Sequence, residues 1–235
     1  MLGLLVVFRV KSSETELADC FDALGKKMSD YPSGSAFCQQ RAKLFPEAMR
    51  TLFLTFTAKL TDWLAPNRCT RRKGGVCWQL LAVDGTNVSF QNCRDPEADD
   101  WRTTHKTGKE HCAAHVTALW DAAEKLYLDA VIQPLHRCDE RAAPVEMISR
   151  YKPPRGVKPI LLADRGFPSW NVLAHLKVKR FHFIIRCKDK DVRSSMLWPL
   201  KLPDEETFDI WVKLRSAEKR IIRLHSGAAL SVSFW

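Results

Sequence analysis

The sequence has no apolar stretch long enough to cross a bilayer. Its longest N-terminal apolar run, Leu2 to Phe8, is closed by Arg9, far short of the roughly 20 residues a spanning helix needs. That run also lacks the basic lead and small-residue cleavage site of a secretory signal, so no membrane partner and a cytoplasmic location are expected. The eight cysteines, at 20, 38, 69, 77, 93, 112, 138 and 187, contain no C-x-x-C pair. A chain of this length with a core has no need of disulfides, and reduced thiols are expected. Neither G-x-x-x-x-G-K-[ST] nor G-x-G-x-x-G occurs, which leaves nucleotide-dependent chemistry unsupported. Without a G-x-S-x-G elbow, serine hydrolysis has no foothold. Internal repeats and low-complexity tracts are absent too.

What is present is a globular composition. Of 235 residues, 46% are hydrophobic and 27% charged, enough for a real core in one large domain, or one domain with a smaller helical piece. Lys plus Arg number 37 against 27 Asp plus Glu, a net charge of +10. Such a balance favours a densely negative partner, most simply nucleic acid.

Residues 1 to about 66 read as helical. Leu52, Phe53, Leu54, Phe56, Ala58, Leu60, Trp63 and Leu64 recur close to helical period, Pro46 suits a first turn, and Pro66 closes the segment. Tyr31 to Phe37 reads as turn chemistry between helices. The basic stretch Asn67 to Gly75, with Arg71, Arg72 and Lys73, looks like a domain junction, either a solvated loop or a phosphate-contacting one.

The pattern then changes. Leu80 to Val83 is a short aliphatic strand ended by Asp84-Gly85. Ala113 to Trp120 and Leu126 to Ile132 are further strands joined by a short connection, and Glu140 to Tyr151 is a helix. Tyr151 to Lys158 is a linker, Ile160 to Ala163 a strand ended by Asp164-Arg165-Gly166, Pro168 opens a helix, and Phe181 to Arg186 is another strand. Phe208 to Leu214 alternates with period two.

The matched pair carries the chemistry. Twice an aliphatic strand runs into an aspartate and a small turn, "LLAVDGT" at Asp84 and "ILLADRG" at Asp164. A carboxylate cannot be buried unpaired without a cost of several kcal/mol, so each must meet solvent, a base or a metal. Taken singly, either Asp only starts a turn. If their strands are neighbours, the two acids converge and repel, and a divalent cation relieves the repulsion. Carboxylate sites with room for water suit Mg²⁺.

The segments "SAFCQQRAKL", "LLAVDGTNVSF", "HVTALWDAAEKLYLDAVIQP", "DERAAPVEMISRY", "ILLADRGFPSWNVLAHL", "FHFIIRCKD" and "LPDEETFDIWVKL" resemble the DDE transposases of bacterial insertion elements, of the insertion-sequence-four type. The resemblance runs from about Ser35 to Lys219. It implies an α/β fold: a partial ribonuclease-H-like core, a mixed sheet with flanking helices, preceded by a helical N-terminal region. The expected divisions are 1–75 helical, 76–200 catalytic core, and 201–235 the start of an inserted β region with an irregular tail. It further implies cleavage and strand transfer at element-end double-stranded DNA, near the nucleoid, with Mg²⁺ or Mn²⁺ as cofactor. Asp84 and Asp164 match the family's first two catalytic, metal-holding acids. Homo-oligomerisation is left open.

One part of the family pattern is missing. Its third acid is a Glu in Tyr-x₂-Arg-x₃-Glu-x₆-Lys, and none of Tyr31, Tyr127 or Tyr151 begins it. Glu205, Glu206 and Glu218 do not sit on a suitable helix. The chain therefore reads as a C-terminally truncated or frameshifted copy, with a non-catalytic DNA-binding competitor of full-length transposase as the alternative. Arg165, Arg71, Arg72, Lys73, Arg186 and Lys188 are the expected phosphate contacts, Arg165 first because it adjoins the second acid. His111, Cys112 and His115, with His105 nearby, lack the second pair a zinc site needs. The tryptophans read as core rather than base-stacking platforms.

Overall fold

In the computed structural model, residues 12–64, 72–73, 75–90, 96–104, 107–188, 192–198, 222–223 and 229–230 are described. The expectations at Arg71, at Glu205, Glu206 and Glu218, and for a strand at Phe208 to Leu214 lie outside these residues. The chain divides into two compact units, Met1–Thr55 and Phe56–Trp235.

Three helices open the chain: α1 (Ser13–Ala23), α2 (Gly34–Ala42) and α3 (Pro46–Leu64). Ser12 caps α1, its hydroxyl accepting from Thr15 N. Leu17 and Phe37 form a small core between α1 and α2, with Cys20 and Phe21 against it. Residues 31–37 are not a turn throughout, as the Pro-Ser-Gly cluster had suggested, because α2 begins at Gly34. Ser33 Oγ accepts from Ala36 N at 3.1 Å, so the turn-forming serine acts as a helix start.

The second unit is built on a mixed sheet. Its strands are β1 (Arg72–Lys73), β2 (Val76–Phe90), β3 (Arg102–Thr104), β4 (Glu110–Asp121), β5 (Leu126–Pro134), β6 (Val157–Ala163) and β7 (His182–Ile185). Helix α4 (Ala142–Arg150) joins β5 to β6, and α5 (Trp170–Val178) joins β6 to β7. β4 pairs antiparallel with β2 on one edge and with β5 and β3 on the other. On its far side β2 pairs parallel with β6, and β6 with β7. Three long antiparallel strands followed by two parallel ones, with crossover helices, is the ribonuclease-H-like arrangement. A small antiparallel pair, β8 (Ile222–Arg223) with β9 (Ala229–Leu230), stands apart from this sheet. Among the described residues no helix is long and apolar enough to cross a membrane.

Period-two alternation sorts the sheet into two faces. Leu81, Val83, Leu119 and Leu161 point to one, where Met147 and Ile148 of α4 and Val172, Leu173 and Leu176 of α5 cover them. The two crossovers advance across the sheet in the same direction, which puts both helices on that face. On the opposite face Ile132 and Ile184 are 60% and 65% exposed. Asp84, one residue out of step with Val83, belongs to this open face.

A buried polar chain locks the end of α4 to the sheet. Tyr151 OH donates to Gln79 Oε1, and Gln79 Nε2 donates to Asp121 Oδ2 at 2.7 Å. Asp121 Oδ1 accepts from the backbone of Ala123 and Glu124, shaping the β4–β5 turn. Replacing Tyr151 with Phe strands the Gln79 carbonyl in a 4% exposed side chain. We expect a loss of about 1–3 kcal/mol in chemical denaturation; an unchanged midpoint would show that Gln79 finds another donor.

Candidate active site

β2 is longer than its aliphatic core. It does not stop at Asp84-Gly85, as the sequence led us to expect, but continues to Phe90. The reason is its partner: β4 pairs with it from Leu81 to Phe90, while β6 pairs only from Cys77 to Val83. Where β6 leaves the ladder, the strand becomes exposed, and that is where Asp84 sits.

The last parallel pair is Val83 with Ala163. Asp84 and Asp164 are therefore the next residue on each of two adjacent parallel strands, at the same end of the sheet. Neighbouring strands run about 4.8 Å apart. Side chains leaving neighbouring strands at that spacing would be able to hold one divalent cation between them. Both aspartates are exposed. Asp84 Oδ1 accepts from its neighbour Gly85 N at 2.8 Å.

The basic residues divide. Arg165 is exposed directly after Asp164. Arg186 leaves the end of β7, its N–H donating to Ala163 O at 3.0 Å, and its Nη1 lies 3.9 Å from Asp164 Oδ1. That contact is long, and both side chains are more than half exposed, so it is weak and leaves the carboxylate available. Lys188 Nζ donates to Ser194 Oγ at 3.3 Å. Beside it, burial lifts the Cys187 thiol above its ordinary range. Arg72 and Lys73 pair with Cys77 and Val76, at the start of β2, roughly 20 Å along the strand from Asp84. The structure thus gathers Asp84, Asp164, Arg165 and Arg186 at one end and places Arg72 and Lys73 toward the other.

The donor set fits a hard cation in kind. It consists of carboxylate oxygens at an open edge with room for water and phosphate oxygens. Among the described residues, no group of three or more His, Cys, Asp or Glu is placed to hold a metal ion. The sequence led us to read His111, Cys112 and His115 as clustered surface and core residues rather than a zinc site, and Glu140 as the start of a helix.

A family model described as the transposase DDE domain matches residues 78–220, well over half of the chain. Among solved structures, the chain is similar to the piggyBac transposase in a cryo-EM synaptic complex with hairpin DNA. Identity is 14% and the TM-score 0.39, covering 81% of this chain and 41% of that one. The chain thus spans less than half the length of that relative. No curated protein matches it. Because that family model matches more than half of the chain, from the third residue of β2 onward, the chain belongs to the DDE transposase family.

Proposed function

We propose that this chain is an insertion-element transposase of the insertion-sequence-four type, with Asp84 and Asp164 as the pair that holds Mg²⁺ or Mn²⁺. The observation that carries this reading is the Val83–Ala163 register, which brings two acids distant in sequence to adjacent positions. Divalent ions held there would stabilise the attacking and leaving oxygens in phosphodiester displacement. The protein's part is positional. Asp84 and Asp164 supply the negative oxygens, while Arg165, Arg186 and Lys188 neutralise phosphates of double-stranded element-end DNA. The open face beside Asp84 gives a duplex room to approach. Such a protein works in the cytoplasm, at the nucleoid.

A second reading is favoured because, among the described residues, no third acid joins the two: a non-catalytic DNA-binding competitor of full-length transposase. A nicking assay on supercoiled DNA carrying element ends, in Mn²⁺, separates the two. The transposase reading predicts nicking that Asp84→Ala abolishes. DNA binding should weaken with salt and survive that substitution, with Arg186→Ala lowering the log–log salt slope by about 1. Salt-dependent binding without nicking by the unmodified chain assigns it to the competitor class. Nicking that persists in Asp84→Ala refutes the assignment of the site.

A further inference from the structure

Behind Asp84, on the helix-covered face, lies a polar cluster that the two aspartates do not account for. His115 of β4 is only 4% exposed. Its Nδ1 lies 2.7 Å from Asn87 Oδ1, while its Nε2 is sealed from solvent with no hydrogen-bond partner among the described residues. Thr117 Oγ1, two residues along the same strand face, is likewise buried and unpartnered. Such atoms are costly in a core that an aliphatic side chain would fill without penalty. Glu140 faces the ring, its Oε1 3.9 Å from His115 Nε2.

The cluster lies beside the segments that carry both aspartates. A Cβ on Gly85 would meet His115 Nε2 at 2.5 Å and Thr117 Oγ1 at 3.7 Å. Only glycine therefore fits after Asp84 without moving the ring. A Cβ on Gly166, two residues after Asp164, would lie 3.7 Å from Glu140 Oε2. One carboxylate thus reaches from the turn after Asp164 to the imidazole that backs the residue after Asp84. Strand alternation sets Asp84 on the opposite face from Gly85, so His115 and Glu140 stand behind the cation pair.

We propose that His115 and Glu140 are positioning residues that couple the Gly85 and Gly166 backbones and so fix the separation of Asp84 and Asp164. This rests on the reading of the two aspartates as a divalent-cation pair. Groups that hold metal ligands in place without touching the ion typically set its affinity by 10–100-fold. Glu140 suits a test because its side chain is 54% exposed, and its loss should leave the fold intact.

The experiment measures Mn²⁺ affinity by electron paramagnetic resonance on the full chain, with thermal midpoints and His115 imidazole ¹⁵N shifts recorded without metal. Glu140→Ala is expected to weaken Mn²⁺ binding about 10-fold, to shift the His115 ¹⁵N signals, and to move the midpoint by no more than about 2 °C. Glu140→Gln, which keeps the reach and one carbonyl oxygen, should recover most of the affinity. Unchanged affinity in Glu140→Ala, or a loss that Glu140→Gln does not relieve, overturns the proposal. Asp84→Asn serves as the control. If it removes binding while Glu140→Ala does not, the positioning role alone fails; if Asp84→Asn binds as the unmodified chain does, the cation pair fails and the positioning role with it.

Discussion

Asp84→Asn and Asp164→Asn are each expected to weaken Mn²⁺ binding by more than about 100-fold, while the metal-free thermal midpoint stays where it was or rises slightly. The size follows from the ligand count. Asp84 and Asp164 are the carboxylates that the described residues bring together at this end of the sheet, so removing either charge takes a large share of the attraction for the cation. A neutral amide oxygen is a poor substitute for a hard cation, and the loss should exceed the 10–100-fold typical of residues that only support a ligand. The sign of the stability change follows from exposure. Neither aspartate is buried, and among the described residues the ion pair at Asp164 is the long contact to Arg186. Removing one of two adjacent like charges relieves repulsion and breaks no strong pair. Calorimetric titration with parallel thermal melts measures both quantities. A large fall in the midpoint would mean that the aspartates hold the fold together rather than a cation.

Arg150→Met is expected to produce the opposite profile: a large loss of stability with no direct loss of a cation ligand. Arg150, in the last turn of α4, donates through Nε to Asp129 Oδ2 at 3.0 Å and through Nη1 to Glu146, while its Nη2 lies 2.9 Å from Asp129 Oδ2 as an ion-pair contact outside hydrogen-bond geometry. Asp129 lies on β5 with its side chain 8% exposed. Burial works against the Arg150 charge, but Asp129 and Glu146 outweigh it and hold the guanidinium firmly protonated. Removing the arginine leaves a buried carboxylate without its cation, a change that costs about 3–5 kcal/mol. For a chain of this size that lowers the thermal midpoint by roughly 6–20 °C. The cost comes from the orphaned charge, so Asp129→Asn added to Arg150→Met should recover a good part of it. If the double variant is no more stable than the single one, the loss lies in packing of the arginine stem instead. The pair matters to the site through α4, which begins just after Glu140 and leads into β6 and Asp164.

The contrast between these variants shows what the chain reveals before it folds. Strands at Leu80 to Val83 and Ile160 to Ala163 were legible because aliphatic runs bounded by small turns are the mark of sheet centres. Their parallel pairing was not legible. It depends on α4 crossing from β5 to β6, which no local pattern states. Thr86 to Phe90 escaped notice because these residues are exposed and mostly polar, and only β4, paired along their whole length, holds them extended. Ser33-Gly34 read as a turn because the same residues that form turns also cap helices. Glu140 and His115 were invisible as a couple, since 25 positions separate them and only the fold brings the β4 face against the entry to α4. The aspartates were the easiest residues to find and the supports behind them the hardest. A charged group at a strand end announces itself in sequence; a glycine chosen for what lies beside it does not.

The most direct measurement is the anomalous-scattering map of crystals soaked in Mn²⁺. It should show a peak bonded to one carboxylate oxygen of Asp84 and one of Asp164, each at about 2.0–2.2 Å, with His115 and Glu140 outside bonding distance behind the strand. A peak bonded to neither aspartate, or carboxylates turned too far apart to share one ion, would contradict the account.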